Sequence, residues 1–229
     1  MLPLCYYSLM KKYYEAYDQR YQIIHEKGHS WSSNTPTPIV FNVMQKYNLS
    51  SSSILEIGCG EGRDALYLLK KGYGVTASDI SAEAINYCKL QIPDYCDHFI
   101  ILDCINDEHE YRYDFIYSVA VIHMLVNDNH RNSFYRFIHD HLNANGVALI
   151  CSMGDGVNES VSDTSKAFDL VERSHESGII NVTTTSLRMI NFNTFENEII
   201  SNNLSIIEKG ITSSFPDFNH LMYAVVKKT

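Results

Sequence analysis

At 229 residues, with 45% apolar side chains and a formal net charge of −9, the chain is long enough for one good-sized domain with a buried core. The negative balance argues against a polynucleotide partner, whose phosphates want the opposite sign. No apolar run reaches the roughly 18 residues of a membrane span, and the opening MLPLCYYSLMKK carries its positive charges after its apolar stretch, the wrong order for a secretory signal.

The front end is rich in tyrosine. Six of the 16 tyrosines fall at Tyr6, Tyr7, Tyr13, Tyr14, Tyr17 and Tyr21. Tyr13, Tyr17 and Tyr21 recur at i+4 and Met10 extends the same face, so Ser8 to about Lys27 is expected to be an amphipathic helix ended by Gly28. SSNTPTP is a turn, and Pro36 or Pro38 starts a second helix through Tyr47. The pattern then alternates. SILEIG, GVTASD, HFIILD, YDFIYSVA and VALICSM have the character of strands. GRDALYLLKKG, SAEAINYCKLQ and NDNHRNSFYRFIHDHLNANG have that of helices, the last with Phe134, Phe137, Ile138 and Leu142 on one side and the second weakly capped by Ser81. Near-continuous apolar strands separated by short helices indicate an α/β fold, a Rossmann-like doubly wound sheet covered on both faces.

Residues 155–185 form a polar insert in which SDTSKAFDLVERSHESG fits a helix, at the sheet edge where specificity is usually built. Asn193 then opens a helix with Glu196 in capping-box register. LSIIEKGI and HLMYAVVKK follow as a hairpin, which makes the sheet seven-stranded and mainly parallel with one antiparallel strand near the end. The expected plan is one domain: N-terminal helices at 1–50 as a lid, a core at 53–153, the insert, and a helix with two strands at 186–229. Cys5, Cys59, Cys88, Cys96, Cys104 and Cys151 form no C-x-x-C pair. They suit reduced thiols in a cytoplasmic protein better than a disulfide frame or a zinc site, so no metal is expected.

Gly58-Cys59-Gly60-Glu61-Gly62 follows the first strand and opens a helix, where a doubly wound sheet binds its ligand. A dinucleotide fingerprint needs G-x-G-x-x-G. Here the spacing is G-x-G-x-G, and Glu56 and Glu61 bring negative charge that suits a cationic ligand better than a diphosphate. Asp79, at the end of the second strand, offers two oxygens to a ribose diol.

LEIGCGEG followed by VTASDIS resembles the class I S-adenosylmethionine-dependent methyltransferases, most closely the branch with tellurite-resistance and thiopurine methyltransferases, which act on small acceptors. The resemblance spans about Ser53 to Met153. It implies S-adenosyl-L-methionine as cofactor. Glu56 would organise the loop or the amino-acid moiety, lined by Gly58, Cys59 and Gly60 and flanked by Arg63. Asp79 and Ile80 would meet the ribose, Asp103 the adenine amino group and Cys104 the ring, with Ser118 and Val119 bordering the sulfonium. Methyl transfer needs alignment more than a protein nucleophile. Tyr21 and Trp31 are the leading candidates for aromatic cover over the cationic sulfur, and His123, after the fourth strand, for a general base toward a small-molecule acceptor. Two other readings stay open: a non-catalytic cofactor-binding module, and a nicotinamide-dependent oxidoreductase.

Overall fold

The computed structural model describes residues 12–31, 35–50, 52–175, 177–214 and 218–229. A single 3-10 turn, Tyr13–Glu15, leads into α1 (Ala16–Glu26), and Gly28, at φ +70°, ends that turn of chain. The expected start of this helix at Ser8, with Met10, lies outside the described residues. α2 (Pro38–Lys46) begins on Pro38, whose missing N–H costs nothing in a first turn.

The chain then alternates through β1 (Ile54–Ile57), α3 (Arg63–Lys70), β2 (Val75–Asp79), α4 (Ala82–Gln91), β3 (Phe99–Ile101), β4 (Tyr113–Val119), α5 (Asp128–His141) and β5 (Leu142–Met153). After the insert come α6 (Phe192–Ser201), β10 (Leu204–Ser214) and β11 (Phe218–Lys228). These strands form one seven-stranded sheet in the order β3-β2-β1-β4-β5-β11-β10. β11 runs antiparallel to both of its neighbours, and the other pairings are parallel. The strand order reverses between β1 and β4, so the crevice for a ligand opens beyond their carboxyl ends.

The two-residue period of the strands builds both layers. Ile54, Phe115, Tyr117, Leu149 and Val225 point toward α2, α3 and α4, in one buried cluster with Val43, Leu68 and Ile85. Leu55, Ile57, Ile116, Ile150 and Val226 point the other way and pack with Phe134, Ile138, Phe195 and Ile199 of α5 and α6. A strand buried on both faces has no polar side to show, which is why YDFIYSV is almost wholly apolar.

Two local expectations are met with adjustments. The Ser81 hydroxyl accepts from Ala84 N at 3.0 Å and caps α4. α6 starts earlier than Asn193, because Asn191 accepts from Thr194 N at 2.9 Å and serves as the cap.

The insert is where the expected secondary structure fails. SDTSKAFDLVERSHESG is not a helix. β6 (Ser160–Val161) leads to a short 3-10 turn at Thr164–Lys166, and Phe168 at φ +83° breaks the helical path. β7 (Leu170–His175) and β8 (Gly178–Thr183) then form an antiparallel hairpin, and β9 (Arg188–Met189) pairs back with β6. The deciding signal is alternation in GIINVT: Ile180 and Val182 are buried against Ile24 of α1, while Ile179 and Asn181 face outward. Arg20 fastens the hairpin to α1, donating from Nε and Nη2 to the Thr183 carbonyl at 2.9 and 2.7 Å.

Candidate functional site

The three glycines of the loop are all in the left-handed region, at φ +77° for Gly58, +53° for Gly60 and +79° for Gly62. Their backbone is pinned from below: Gly58 N and Cys59 N both donate to the Ser78 carbonyl, at 2.7 and 2.8 Å. A Cβ on Gly58 would lie 2.1 Å from Val121 Cγ2, and one on Gly60 would lie 2.6 Å from the Tyr21 hydroxyl. Glycine is therefore required here because α1 and the segment after β4 close directly onto the loop. Glu61 does not bring its charge to that crevice. It is buried and turned toward α1, accepting from His25 Nε2 at 2.9 Å, Ser30 Oγ at 2.7 Å and Trp31 N at 2.9 Å.

Asp79 ends β2, Asp103 lies just beyond the end of the adjacent β3, and both line one pocket. Asp79 Oδ2 accepts from Gly60 N at 2.8 Å and Oδ1 from Ser81 N at 2.9 Å. One acceptor position therefore stays on each oxygen. Burial raises its carboxyl above the ordinary value, against the pull of the Ser81, Gly60 and Ile80 N–H groups. Asp103 is more crowded. Its Oδ2 accepts from Lys12 Nζ at 2.8 Å and Asn106 Nδ2 at 2.6 Å, and its Oδ1 from Ile105 N at 3.0 Å. Burial works to raise this carboxyl, yet the lysine and the two hydrogen-bond donors outweigh it and hold it below the usual range.

Between the acids the walls are apolar and aromatic: Ile80, Leu102, Cys104 and Ile105 on one side, Val121, Met124 and Leu125 on the other, with Tyr14, Tyr17 and Tyr21 across the top. The tyrosine face differs from the i+4 reading, because the 3-10 turn at Tyr13–Glu15 rotates the stripe. Tyr13 points instead at the start of α5, its hydroxyl accepting from Val126 N at 2.8 Å. Ala120 adopts φ +61°, a strained turn for a residue with a Cβ, and this swings Val121 over Gly58.

The structure brings together Gly58, Asp79, Ile80, Asp103, Cys104 and Tyr21 from the expected set. Cys59 is buried beneath the loop, and Val119 packs into the core. Ser118 faces the opposite side of β4, its buried hydroxyl without a partner. Gly60 reaches the pocket through its N–H on Asp79. Arg63 turns back toward α2, donating from Nη2 to Thr37 Oγ1 at 2.9 Å. Glu56 pairs in register with Tyr117 on the α3 side of the sheet, and the two side chains are buried together, away from the pocket.

Two expectations are corrected. Trp31 does not line the pocket; its ring packs over Arg20 at 5.5 Å and beside His175 at 5.9 Å, against the insert hairpin. His123 is poorly suited to take a proton. It is 1% exposed, its Nδ1 accepts from Met153 N at 3.3 Å, and burial, with Arg131 nearby, lowers its pKa to about 3. That bond leaves the ring proton on Nε2, so the free nitrogen is a donor. The residues that sequence reasoning missed, Leu102, Val121, Met124 and Leu125, carry no chemistry of their own, and Ala120 gives no sign of its turn.

Residues 55–148 match the family model described as a methyltransferase domain. That stretch, under half of the chain, resembles methyltransferase domains. The chain is 32% identical over 104 residues to a probable S-adenosyl-L-methionine-dependent methyltransferase TehB of Haemophilus influenzae (strain 10810), a match covering 44% of this chain and 36% of that protein. The matched domain thus spans about a third of that curated relative. Among solved structures, the fold superposes on an S-adenosylmethionine-dependent methyltransferase from Clostridium acetobutylicum ATCC 824 with a TM-score of 0.62 at 16% identity, over 83% of this chain and 89% of that one. It superposes on the 1,6-didemethyltoxoflavin-N1-methyltransferase of Burkholderia thailandensis with a TM-score of 0.69 at 14% identity, over 96% and 92%. At these identities the likeness is one of fold. Among the described residues, no helix is long and apolar enough to cross a membrane.

Proposed function

We propose that the protein transfers a methyl group from S-adenosylmethionine to a small-molecule acceptor. The observation that carries this is the pairing of Asp79 and Asp103 across one apolar slot, beside a loop whose glycines are all left-handed. The residues fit the donor at both ends. Asp79 keeps an acceptor position on each oxygen for a sugar diol, and on Asp103 the oxygen with room for an adenine amino group is Oδ1, which holds only the Ile105 N–H. At the other end, the left-handed glycines of the loop bring bare backbone to the pocket edge beside Asp79.

Bound there, the donor supplies an electrophilic methyl on a cationic sulfur. Tyr17 and Tyr21 offer aromatic faces and oxygen atoms to that charge. The tyrosine face of α1 and the Val121–Leu125 wall exclude water and fix orientation, which can supply on the order of 7–11 kcal/mol of barrier reduction. His123 is buried outside the pocket lining and offers no base there, so the acceptor arrives already nucleophilic, as an amine, a thiolate or a carboxylate does. The small acceptor named for the Burkholderia thailandensis enzyme supports a small-molecule substrate here as well.

The test is a thermal-shift titration. S-adenosylhomocysteine at 100-fold its Kd should stabilise the protein by about 2.7 kcal/mol, roughly 5–10 °C for a chain of this size, and NAD should not. Asp79→Ala should weaken the binding at least tenfold, and turnover should appear on a panel of amines, thiols and small carboxylates. Stabilisation by NAD alone, or undiminished binding by Asp79→Ala, would refute the reading; binding without turnover on any acceptor would leave a cofactor-binding module.

A further inference from the structure

We propose that Arg131 is a positioning residue for the donor, holding the pocket wall that follows β4. The inference rests on the donor reading above. Arg131 sits in the first turn of α5 yet is 1% exposed, one of the largest fully buried side chains among the described residues. A guanidinium can be buried only if its donors are filled. Here Nε and Nη2 form a two-pronged pair with Glu198 of α6, at 2.8 and 2.7 Å, and Tyr135 donates to the same carboxylate at 2.9 Å.

Helix-to-helix pairing accounts for those two nitrogens. Nη1 does something else: it reaches back to the Ile122 carbonyl at 2.7 Å and the Leu125 carbonyl at 3.1 Å. Those carbonyls bracket a 3-10 turn of three residues, Ile122–Met124, which follows the strained Ala120. So short a turn has little hydrogen bonding of its own to fix it. Its side chains matter nonetheless. Val121, Met124 and Leu125 form one wall of the pocket, and Leu125 packs with Tyr14, Leu102 and Ile105 beside Asp103. Tyr13 and Arg188 hold the next residues, through Val126 N at 2.8 Å and Val126 O at 3.0 Å. Arg131 thus sets the wall at the end of the pocket assigned to the base of the donor.

The experiment is calorimetric titration with S-adenosylhomocysteine and with 5′-methylthioadenosine, which has the adenosine but not the amino-acid end. Arg131→Met should bind both at least tenfold more weakly. Arg131→Lys, which can still donate to the two carbonyls, and Glu198→Gln, which breaks the ion pair but leaves the carbonyl bonds, should both melt earlier than the parent and bind both ligands within threefold of it. Arg131→Met binding like the parent overturns the assignment. So does a tenfold loss in Arg131→Lys or Glu198→Gln, since affinity would then merely follow stability; this pair decides even if Arg131→Met does not fold. A parent that binds neither ligand overturns the donor reading itself.

Discussion

Glu56 lies beside Tyr117 across the β1–β4 pair, and its environment has a measurable signature. Burial, with the nearby Asp64 carboxylate, raises its carboxyl to about 8. In an unfolded chain a glutamate titrates near 4.3, so between these values the folded protein holds the extra proton. Stability is then fully present below the unfolded value and is lost as pH rises to about 8, by on the order of 5 kcal/mol. Glu56→Gln removes this dependence. Melting followed by circular dichroism should show the parent losing roughly 10 °C between pH 5 and 9 through this group, and the variant losing clearly less; equal slopes would refute the burial argument. At this scale the chemistry of the site was legible where it is local. Asp79 ends β2 and Asp103 follows closely on β3, and a strand's end fixes where a carboxylate goes. His123 was misread because its partner is Met153 N, at the far end of β5, and no spacing along the chain tells which ring nitrogen is engaged. Trp31 was misread for a related reason, since its neighbours Arg20 and His175 meet only when the insert folds onto α1.

α1 is held by the same loop that it covers. His25 places Nε2 2.9 Å from Glu61 and Nδ1 2.8 Å from Glu83 of α4, its ring stacked on Tyr87 at 4.1 Å. Breaking a buried pair of this kind costs about 3 kcal/mol, because the remaining partner stays in low dielectric. Glu61→Ala should therefore lower the melting temperature by roughly 6–12 °C and increase hydrogen exchange across α1, leaving exchange in β4 and β5 unchanged. Unchanged protection in α1 would show that the helix is held by packing alone. The sequence made most elements legible, since strands buried on both faces and helices with one apolar side leave strong periodic marks. The insert was the exception. Its charged residues fit a solvated helix and a half-exposed hairpin equally well, and the choice was made by the contact of Ile180 and Val182 with Ile24. The tyrosine stripe failed on a smaller matter: one 3-10 turn shifts which tyrosines face the pocket.

The molecule as a whole carries a net charge of −9, and among the described residues the charged side chains lining the pocket are Asp79 and Asp103, the second paired with Lys12. A cationic donor should feel this field more than a neutral product. Raising salt from 0.05 to 0.5 M should weaken S-adenosylmethionine about two- to threefold relative to S-adenosylhomocysteine in calorimetry, and identical salt slopes would remove the electrostatic argument. The sheet order was legible in part, because alternating strands and helices dictate the parallel half, whereas the place of β11 depends on pairings remote in sequence. That placement governs how the protein is made. Leu149 of β5 pairs with Val225 of β11, so an emerging polypeptide finishes β5 long before its neighbour exists. Throughout synthesis of the insert, α6 and β10, a row of backbone amides and carbonyls on an apolar strand stands open to other nascent chains, and a ribosome stalled there would leave a product prone to aggregate.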